Sequence, residues 1–445
     1  MRKVLASLSF IFLIPNLFGY IDPGTGGYLI SSLWSWLVGI VTLLFAVVIR
    51  FFKYKVWFFC KKYKFYIMPV LLLCVAGASW FYFDFKSGFT LPDYDESRIG
   101  GNIILADKIS SGYNLYNGIL IDMEGNQIKN WSFNYLSIID EDGFYYAQEG
   151  YETMRFGKFY FNGTPVWIKD IPIHHEIYLS DYDTVIVMTK KMEVYNGRNV
   201  EFDVLFEFDK NGTFLTKWST FDNLIEIQSF HRELELDKPA NIILPEDHEK
   251  NTSIWGAEHD YYHMNAFSII PDNKMKDFHP AFKPGNWIVS FRHGSMTFIL
   301  DKDTKKVLWS GIFDQIEGNL EGQHLALMNY DGNIEIFDNG RYRGWSRIVE
   351  INPATMEVVS EIKFDDFFTY SQGFFQDLDN GNMLITESED GHIFEIDSDK
   401  NIVWEFYNPK FKEMEEENDR KIHDEIYRMT RYDKDFIDKL LAEEN

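Results

Sequence analysis

The chain has 445 residues, room for two or three ordinary domains or one large repeat fold, and its 46% apolar and 25% charged composition excludes the disordered and collagenous classes. Its 43 Lys+Arg against 68 Asp+Glu leave a formal net charge of -25, which repels a phosphate backbone, so nucleic acid is not an expected partner. Aromatics at 17% and 30 glycines favour many short strands joined by turns.

The N-terminal segment is different. Residues 1 to 83 carry eight Lys+Arg and one acid, so most of the negative charge falls on the remainder. Val4 to Tyr20 is apolar behind Arg2 and Lys3 and is interrupted by Pro15, so residues 1-20 read as a signal peptide or a first membrane helix. Residues 21-85 read as a membrane anchor with two transmembrane helices, 28-49 and 65-83. These uncharged runs of 22 and 19 residues each suffice, at about 1.5 Å per residue, to cross roughly 30 Å of hydrocarbon.

Between those runs lie Arg50, Lys53, Lys55, Lys61, Lys62 and Lys64, and a short loop this basic stays in the cytoplasm. The expected location is the cell membrane, with everything after Asp84 on the periplasmic or extracellular side. The loop Asp22 to Gly27 is glycine-rich but lacks the Gly-Lys-Ser/Thr of a phosphate loop, and reads as a tight turn. Both cysteines, Cys60 and Cys74, fall in the anchor, so the exported part has no disulfide and no cysteine-based zinc site.

From about residue 100 one pattern recurs: an apolar run, an Asp or Asn, a short polar turn, then a second apolar run often ending in Trp. The copies are Ile119 to Trp131, Phe159 to Trp167, Leu205 to Trp218, Phe298 to Trp309, Ile348 to Ile362 and Ile393 to Trp404. Their turn residues Asp122, Asn162, Asp209, Asp301, Asn352 and Asp397 recur about every 40 to 50 residues, apart from one gap of 92 that holds an insertion between Phe221 and Pro280. Hairpins at that period are the mark of propeller blades. The expected fold is an all-β six-bladed propeller over residues 86-406, preceded by the transmembrane helices and followed by a helical tail over 407-445.

All 11 histidines follow residue 173. Four groups stand in strand contexts of different blades: Ile173-His174-His175-Glu176, Asp260-Tyr261-Tyr262-His263-Met264-Asn265, Ser290-Phe291-Arg292-His293-Gly294 and Gly322-Gln323-His324. Inner-strand ends of a propeller converge on its axis, so these groups can meet. A zinc site is not expected: His174 and His175, adjacent on a strand, should point to opposite faces, and no His-Glu-x-x-His motif exists. No serine-nucleophile elbow is present either.

The ordered series DYYHMN (260 to 265), SFRHGSMTFILDKDTKKVLW (290 to 309), GQH (322 to 324), DGNIEIFDNG (331 to 340), YSQGFFQDLDNGNMLITE (370 to 387), GHIFEIDSDKNIVWEF (391 to 406) and IYRMTRYDKDF (426 to 436) resembles the arylsulfotransferase family of six-bladed propellers. The resemblance spans roughly residues 100 to 436 and leaves out the membrane segment. It implies a nucleotide-independent sulfotransferase that needs no cofactor and moves a sulfuryl group from an aryl sulfate donor to a phenolic or other hydroxyl acceptor. His324 resembles the nucleophile that becomes a transient sulfohistidine. His263, Arg292 and one of His174 or His175 resemble the other catalytic groups, with Asn265 and Ser371 on the substrate. Expected partners are these two substrates and the lipid bilayer, with a homodimer left open. The alternative is a non-catalytic envelope-anchored propeller serving as a binding scaffold.

Overall fold

Short apolar runs separated by Asp/Asn-Gly turns can bury one face only by stacking sheet on sheet. The computed structural model describes residues 99–131, 136–149, 155–231, 234, 257–312, 320–412 and 422–444. The chain divides into Met1–Asp93 and Tyr94–Asn445. The expected signal segment and both expected membrane helices lie outside the described residues; among the described residues no helix is long and apolar enough to cross a membrane.

Residues 100–433 form six sheets, each with four or more strands and antiparallel but for one short strand in blade 3, the blades of a propeller. The innermost strands are Met429–Asp433 in blade 1, Ser137–Ile139 in blade 2, His174–Leu179 in blade 3, Met264–Ile269 in blade 4, His324–Met328 in blade 5 and Phe374–Asp377 in blade 6. The six hairpins legible in the sequence are the third and fourth strands of the six blades. Thr184–Tyr195, Trp287–Phe291 and Met383–Glu387 are second strands of blades 3, 4 and 6, one step out from the axis.

The recurrent Asp or Asn caps each outer turn by accepting a backbone N–H two to four residues on. Asp122 takes that of Asn126 at 2.8 Å, Asn162 that of Thr164 at 2.9 Å, Asp209 that of Thr213 at 2.7 Å, Asp301 that of Thr304 at 2.7 Å, Asn352 that of Ala354 at 2.9 Å and Asp397 that of Asn401 at 2.9 Å. The recurrent Trp has a different task. Trp131 of blade 1 donates its indole N–H to Phe161 O in the outer turn of blade 2 (2.7 Å), Trp167 of blade 2 to Lys210 O of blade 3 (3.1 Å), Trp309 of blade 4 to Pro353 O of blade 5 (3.0 Å) and Trp404 of blade 6 to Met123 O of blade 1 (2.8 Å). Each indole thus latches its blade to the next.

Six buried apolar clusters fill the six blade-to-blade interfaces, for instance Leu115 with Tyr145 between blades 1 and 2 and Phe337 with Ile385 between blades 5 and 6. The ring closes from both ends: Gly100–Ile103 adds to the outer edge of blade 6 and Met429–Asp433 completes blade 1 from inside.

The expected helical tail over 407-445 is corrected in part. Phe411–Lys412 and Ile422–His423 pair as a two-stranded ribbon, Met429–Asp433 is a strand, and among the described residues of the tail only Lys434–Glu444 is helical. The spacing of Ile422, Ile426 and Met429 does suit a helix, but the bare inner edge of Gly112–Tyr116 supplies backbone partners that a helix would leave unpaired. The helix packs Ile437 and Leu440 into the cluster between blades 1 and 2. Gly143 makes room for Leu440: a Cβ there would lie 2.3 Å from Leu440 Cδ2.

Candidate active site

Inner strands of three successive blades begin with the same irregularity. In blade 3, His174 pairs with Met188 but Ile177 with Val187, leaving His175 and Glu176 extra on the inner strand. In blade 4 the extra residue is Asn265, and in blade 5 it is Leu325. His175 (φ 57°), His263 (φ 52°) and Leu325 (φ 44°) are left-handed, as is Gln372 (φ 63°) just before the inner strand of blade 6. Each such residue costs on the order of 1–3 kcal/mol, and bulges of this kind re-aim side chains.

The bulge of blade 3 overturns one expectation. His174 and His175 do not point to opposite faces, because the left-handed His175 breaks the strand alternation; their Nδ1 atoms lie 2.7 Å apart. His175 is the hub of the cluster, with its ring 4.9 Å from that of His174, 5.0 Å from His263, 6.1 Å from His324 and 6.2 Å from Tyr427. Inner-strand ends of blades 1, 3, 4 and 5 therefore meet at one place.

His324 is 3% exposed and held from both sides. Its Nδ1 lies 2.7 Å from Asn339 Oδ1, and the Asn339 amide donates to the carbonyls of Thr369 (2.9 Å) and Gln372 (2.8 Å). With its NH₂ committed to two carbonyls, Asn339 can only accept at Oδ1, which assigns the His324 proton to Nδ1. Nε2 then carries the lone pair, consistent with its accepting the Gln372 N–H at 3.2 Å. Burial, with the charges of Arg292 and Arg341, pushes the His324 imidazole down to about 3, so it is neutral.

His263 gives Nδ1 to Asp260 Oδ2 at 2.5 Å, and its Nε2 lies 3.3 Å from Arg292 Nη1. The imidazole thus orients the guanidinium, and its proton faces Asp260 and not the channel. Burial and Arg292 outweigh Asp260 and hold His263 well below the usual imidazole range. Asp260 also accepts from Lys190 Nζ at 2.6 Å, and Lys190 reaches Glu201 at 3.1 Å. Burial opposes the Asp260 charge, but Lys190 and His263 outweigh it and keep the carboxylate ionised.

Asn265 is buried and donates its amide to Gln323 O at 2.7 Å, anchoring the residue before His324. Ser371 donates to Glu389 Oε1 at 2.7 Å. The geometry makes Asn265 a support for the strand that begins at His324 and engages the Ser371 hydroxyl with a carboxylate. A cavity of about 230 Å³ beside Lys190, lined by Pro172, Thr189, Val204 and Phe206 among others, contains none of the histidines among its lining residues.

With four imidazoles and a guanidinium gathered on the propeller axis, the family model for arylsulfotransferase (ASST) matches residues 115–409, from blade 1 to the end of blade 6. The chain belongs to the arylsulfotransferase family. No curated protein matches it. Among solved structures, an arylsulfotransferase-family chain of this shape is similar to a protein of unknown function from Bacteroides caccae (11% identity, 67% of this chain and 94% of that one, TM-score 0.38). It is similar also to the virginiamycin B lyase of Staphylococcus aureus (11% identity, 67% and 74%, TM-score 0.34) and to a streptogramin B lyase (13% identity, 72% and 85%, TM-score 0.35). At these TM-scores the likenesses bear on neither site nor activity.

Several residues of the candidate site in this arylsulfotransferase-family chain escape sequence reasoning. Asn339 stands in a Phe-Asp-Asn-Gly turn motif that reads as loop chemistry alone. Arg341 lies over the Tyr370 ring at 4.1 Å, and a Cβ on Gly322 would touch its Cδ at 2.4 Å, which puts a second guanidinium beside the His324 loop. Tyr427 donates its hydroxyl to His175 O at 3.1 Å, and the neighbouring Arg428 pairs with Glu176. Lys190 and Asp203, two blade-3 strand residues without a motif, lie buried beneath the imidazoles.

Proposed function

We propose that this protein is a membrane-anchored sulfotransferase that moves a sulfuryl group from an aryl sulfate ester to a phenolic or other hydroxyl acceptor through a sulfohistidine at His324. Family membership supports the reaction class. The observation that carries the mechanism is the buried Nε2 of His324, kept free of a proton by Asn339 and set among three further imidazoles and Arg292.

Sulfuryl transfer resembles phosphoryl transfer: the transition state is loose and in line, with charge on the peripheral oxygens, so catalysis is positioning plus donated hydrogen bonds. In the first half reaction the Nε2 lone pair attacks sulfur and the aryl oxygen leaves. The Gln372 N–H, displaced from Nε2, then bonds a sulfuryl oxygen. Arg292, oriented by His263, supplies a planar fork for the others. The adduct keeps Nδ1–H, whose growing positive charge Asn339 Oδ1 stabilises. In the second half reaction the acceptor oxygen takes the group, and His324 returns to its starting form.

The same reading sets the propeller on the periplasmic or extracellular face, anchored by residues 28-49 and 65-83. Its motivation is the six-cation loop around Cys60. A membrane-impermeant thiol reagent should miss Cys60 in intact cells, and ready labelling would invert the orientation. For the reaction, intact-protein mass after mixing with 4-nitrophenyl sulfate should rise by one sulfuryl group, and His324→Ala should abolish the rise. A propeller that binds partners without turnover gives no adduct.

A further inference from the structure

Each half reaction of the proposed transfer moves one proton: the aryl group departs as a phenolate and the acceptor arrives as a hydroxyl. His263 presents no proton to the channel, since Nδ1 bonds Asp260 and Nε2 faces Arg292. His175, at the centre of the cluster, has a nitrogen chain behind it. We propose that Asp203, His174 and His175 form a proton relay in which the Asp203 carboxyl stores the proton between the two half reactions; the proposal rests on the sulfotransferase reading above.

The geometry is a line of three groups. His174 Nδ1 and His175 Nδ1 are 2.7 Å apart, and this contact is an equally good hydrogen bond whichever ring holds the proton. At the other end, His174 Nε2 makes no well-formed hydrogen bond among the described residues, although the Thr189 backbone faces the His174 ring, and it lies 4.0 Å from Asp203 Oδ1. Neither oxygen of Asp203 makes a well-formed hydrogen bond, although the Met264 N–H faces it. Asp203 is fully buried, and the ammonium of Lys190 beside it is committed to Asp260 and Glu201.

The groups facing Asp203 are His174 from the inner strand, Lys190 from the second strand, Glu201 from its own strand and Asp260 from the short parallel strand His259–Asp260. Burial first, then the Asp260 charge, push the Asp203 carboxyl up to about 8 against the pull of Lys190, so it carries its proton at neutral pH. His174 is pushed down to about 3 by burial and Lys190, and burial with the neighbouring imidazoles holds His175 low as well, so neither ring stores a charge of its own.

The transfers balance. As the N–S bond forms at His324 and the S–O(aryl) bond breaks, the electron pair leaves on the phenolate oxygen, which takes the Nε2 proton of His175. His175 takes the Nδ1 proton of His174, and His174 takes the Asp203 proton at Nε2 once that contact shortens by about 1 Å to hydrogen-bond length. A phenol departs, leaving an Asp203 carboxylate and sulfo-His324. In the second half reaction the acceptor hydroxyl gives its proton to His175 Nε2, both rings pass one on, and Asp203 is reprotonated as the N–S bond breaks. Both resting tautomer pairs keep the 2.7 Å contact.

The test compares adduct formation in single turnovers with 4-nitrophenyl sulfate, whose phenolate leaves unaided, and phenyl sulfate, whose phenolate needs a proton. Asp203→Asn, neutral and of the same size, should leave the first rate within about 3-fold and slow the second about 10²-fold; His174→Gln should do the same. In the unmodified protein, infrared difference spectra on adduct formation from phenyl sulfate should lose a protonated-carboxyl C=O band that Asp203→Asn lacks throughout. Equal slowing for both donors, or a carboxyl band that does not change as the adduct forms, overturns the relay. Absence of any adduct in the unmodified protein removes the sulfotransferase reading itself, and the relay with it.

Discussion

His324 Nδ1 and Asn339 Oδ1 face each other at 2.7 Å, and the second and third hydrogen bonds of the Asn339 amide tie it to Thr369 and Gln372. One side chain therefore assigns the tautomer of the proposed nucleophile and holds the loop whose N–H touches its other nitrogen. Asn339→Ala should lower kcat by about 10- to 100-fold with little change in KM, the usual cost of losing a group that orients a reacting imidazole. Nitrogen NMR of His324 should show its proton no longer confined to Nδ1. A normal kcat with an unconfined proton would mean that the tautomer does not matter.

Arg292 and His263 should behave as one unit. Arg292→Lys retains the charge but loses the planar fork, and should lower turnover by roughly 10² to 10³. His263→Gln should cost much of the same stabilisation by freeing Arg292 from its 3.3 Å contact. The double variant should lose far less than the product of the two, with an interaction energy of about 0.5–3 kcal/mol. Additive losses in kcat/KM would place the two side chains in separate roles.

Stability should fall on both sides of about pH 6.5. On the alkaline side the group to watch is His392, which is stacked on Tyr407 with ring centroids 4.2 Å apart and bonded to Glu387 at 2.8 Å. Burial opposes its charge, but Glu387 and Glu405 outweigh it and push the imidazole up to about 9. A raised histidine contributes stability that is complete below its unfolded value of about 6.5 and is lost as pH rises through about 9. On the acid side His174, His324 and His293, buried neutral with values of about 3, 3 and 4, stay unprotonated while the unfolded chain takes up protons below about 6.5, which destabilises the fold. Urea titrations across pH should show His392→Gln flattening the alkaline limb between about 6.5 and 9, apart from the slope that Asp203, raised to about 8, keeps in the same direction. An unchanged alkaline limb in the variant would remove His392 from the account.

Trp404 closes the ring by donating to Met123 O at 2.8 Å across the joint between blades 6 and 1. Trp404→Phe keeps most of the apolar area but leaves that carbonyl without its donor, and should cost about 1–3 kcal/mol in equilibrium unfolding, with adduct formation in the folded variant unchanged. An adduct lost along with stability would tie the joint to the site.

The blade count was legible because its cause is local. Each outer hairpin needs an Asp or Asn to cap its turn and an apolar run on either side, and those signals sit within fifteen residues of one another. The Trp at the end of the hairpins was visible too, but its partner was not, since Trp131 bonds a carbonyl thirty residues away on the neighbouring blade. The inner strand at Met429–Asp433 was misread as helix because its partner is Gly112–Tyr116, at the other end of the chain.

For the site, residue type together with a family resemblance identified His174, His175, His263, Arg292 and His324, and the fold brings them to one end of the axis. Their arrangement is another matter. Left-handed backbone at His175, His263 and Leu325 turns side chains that strand alternation would have sent elsewhere, and a residue's φ is set by the sheets packed around it. Protonation is decided at the same level: Asn339 fixes one imidazole, Asp260 another, and the buried Asp203 is neutral only because the blade that encloses it excludes water and places a second carboxylate beside it. The sequence by itself determined repeat number, turn chemistry and the inventory of reactive groups, all of which depend on near neighbours along the chain. Which nitrogen carries a proton, which guanidinium faces it and which carboxyl stays uncharged depend on distances and dielectric between segments remote in the chain, and only the closed propeller decided them.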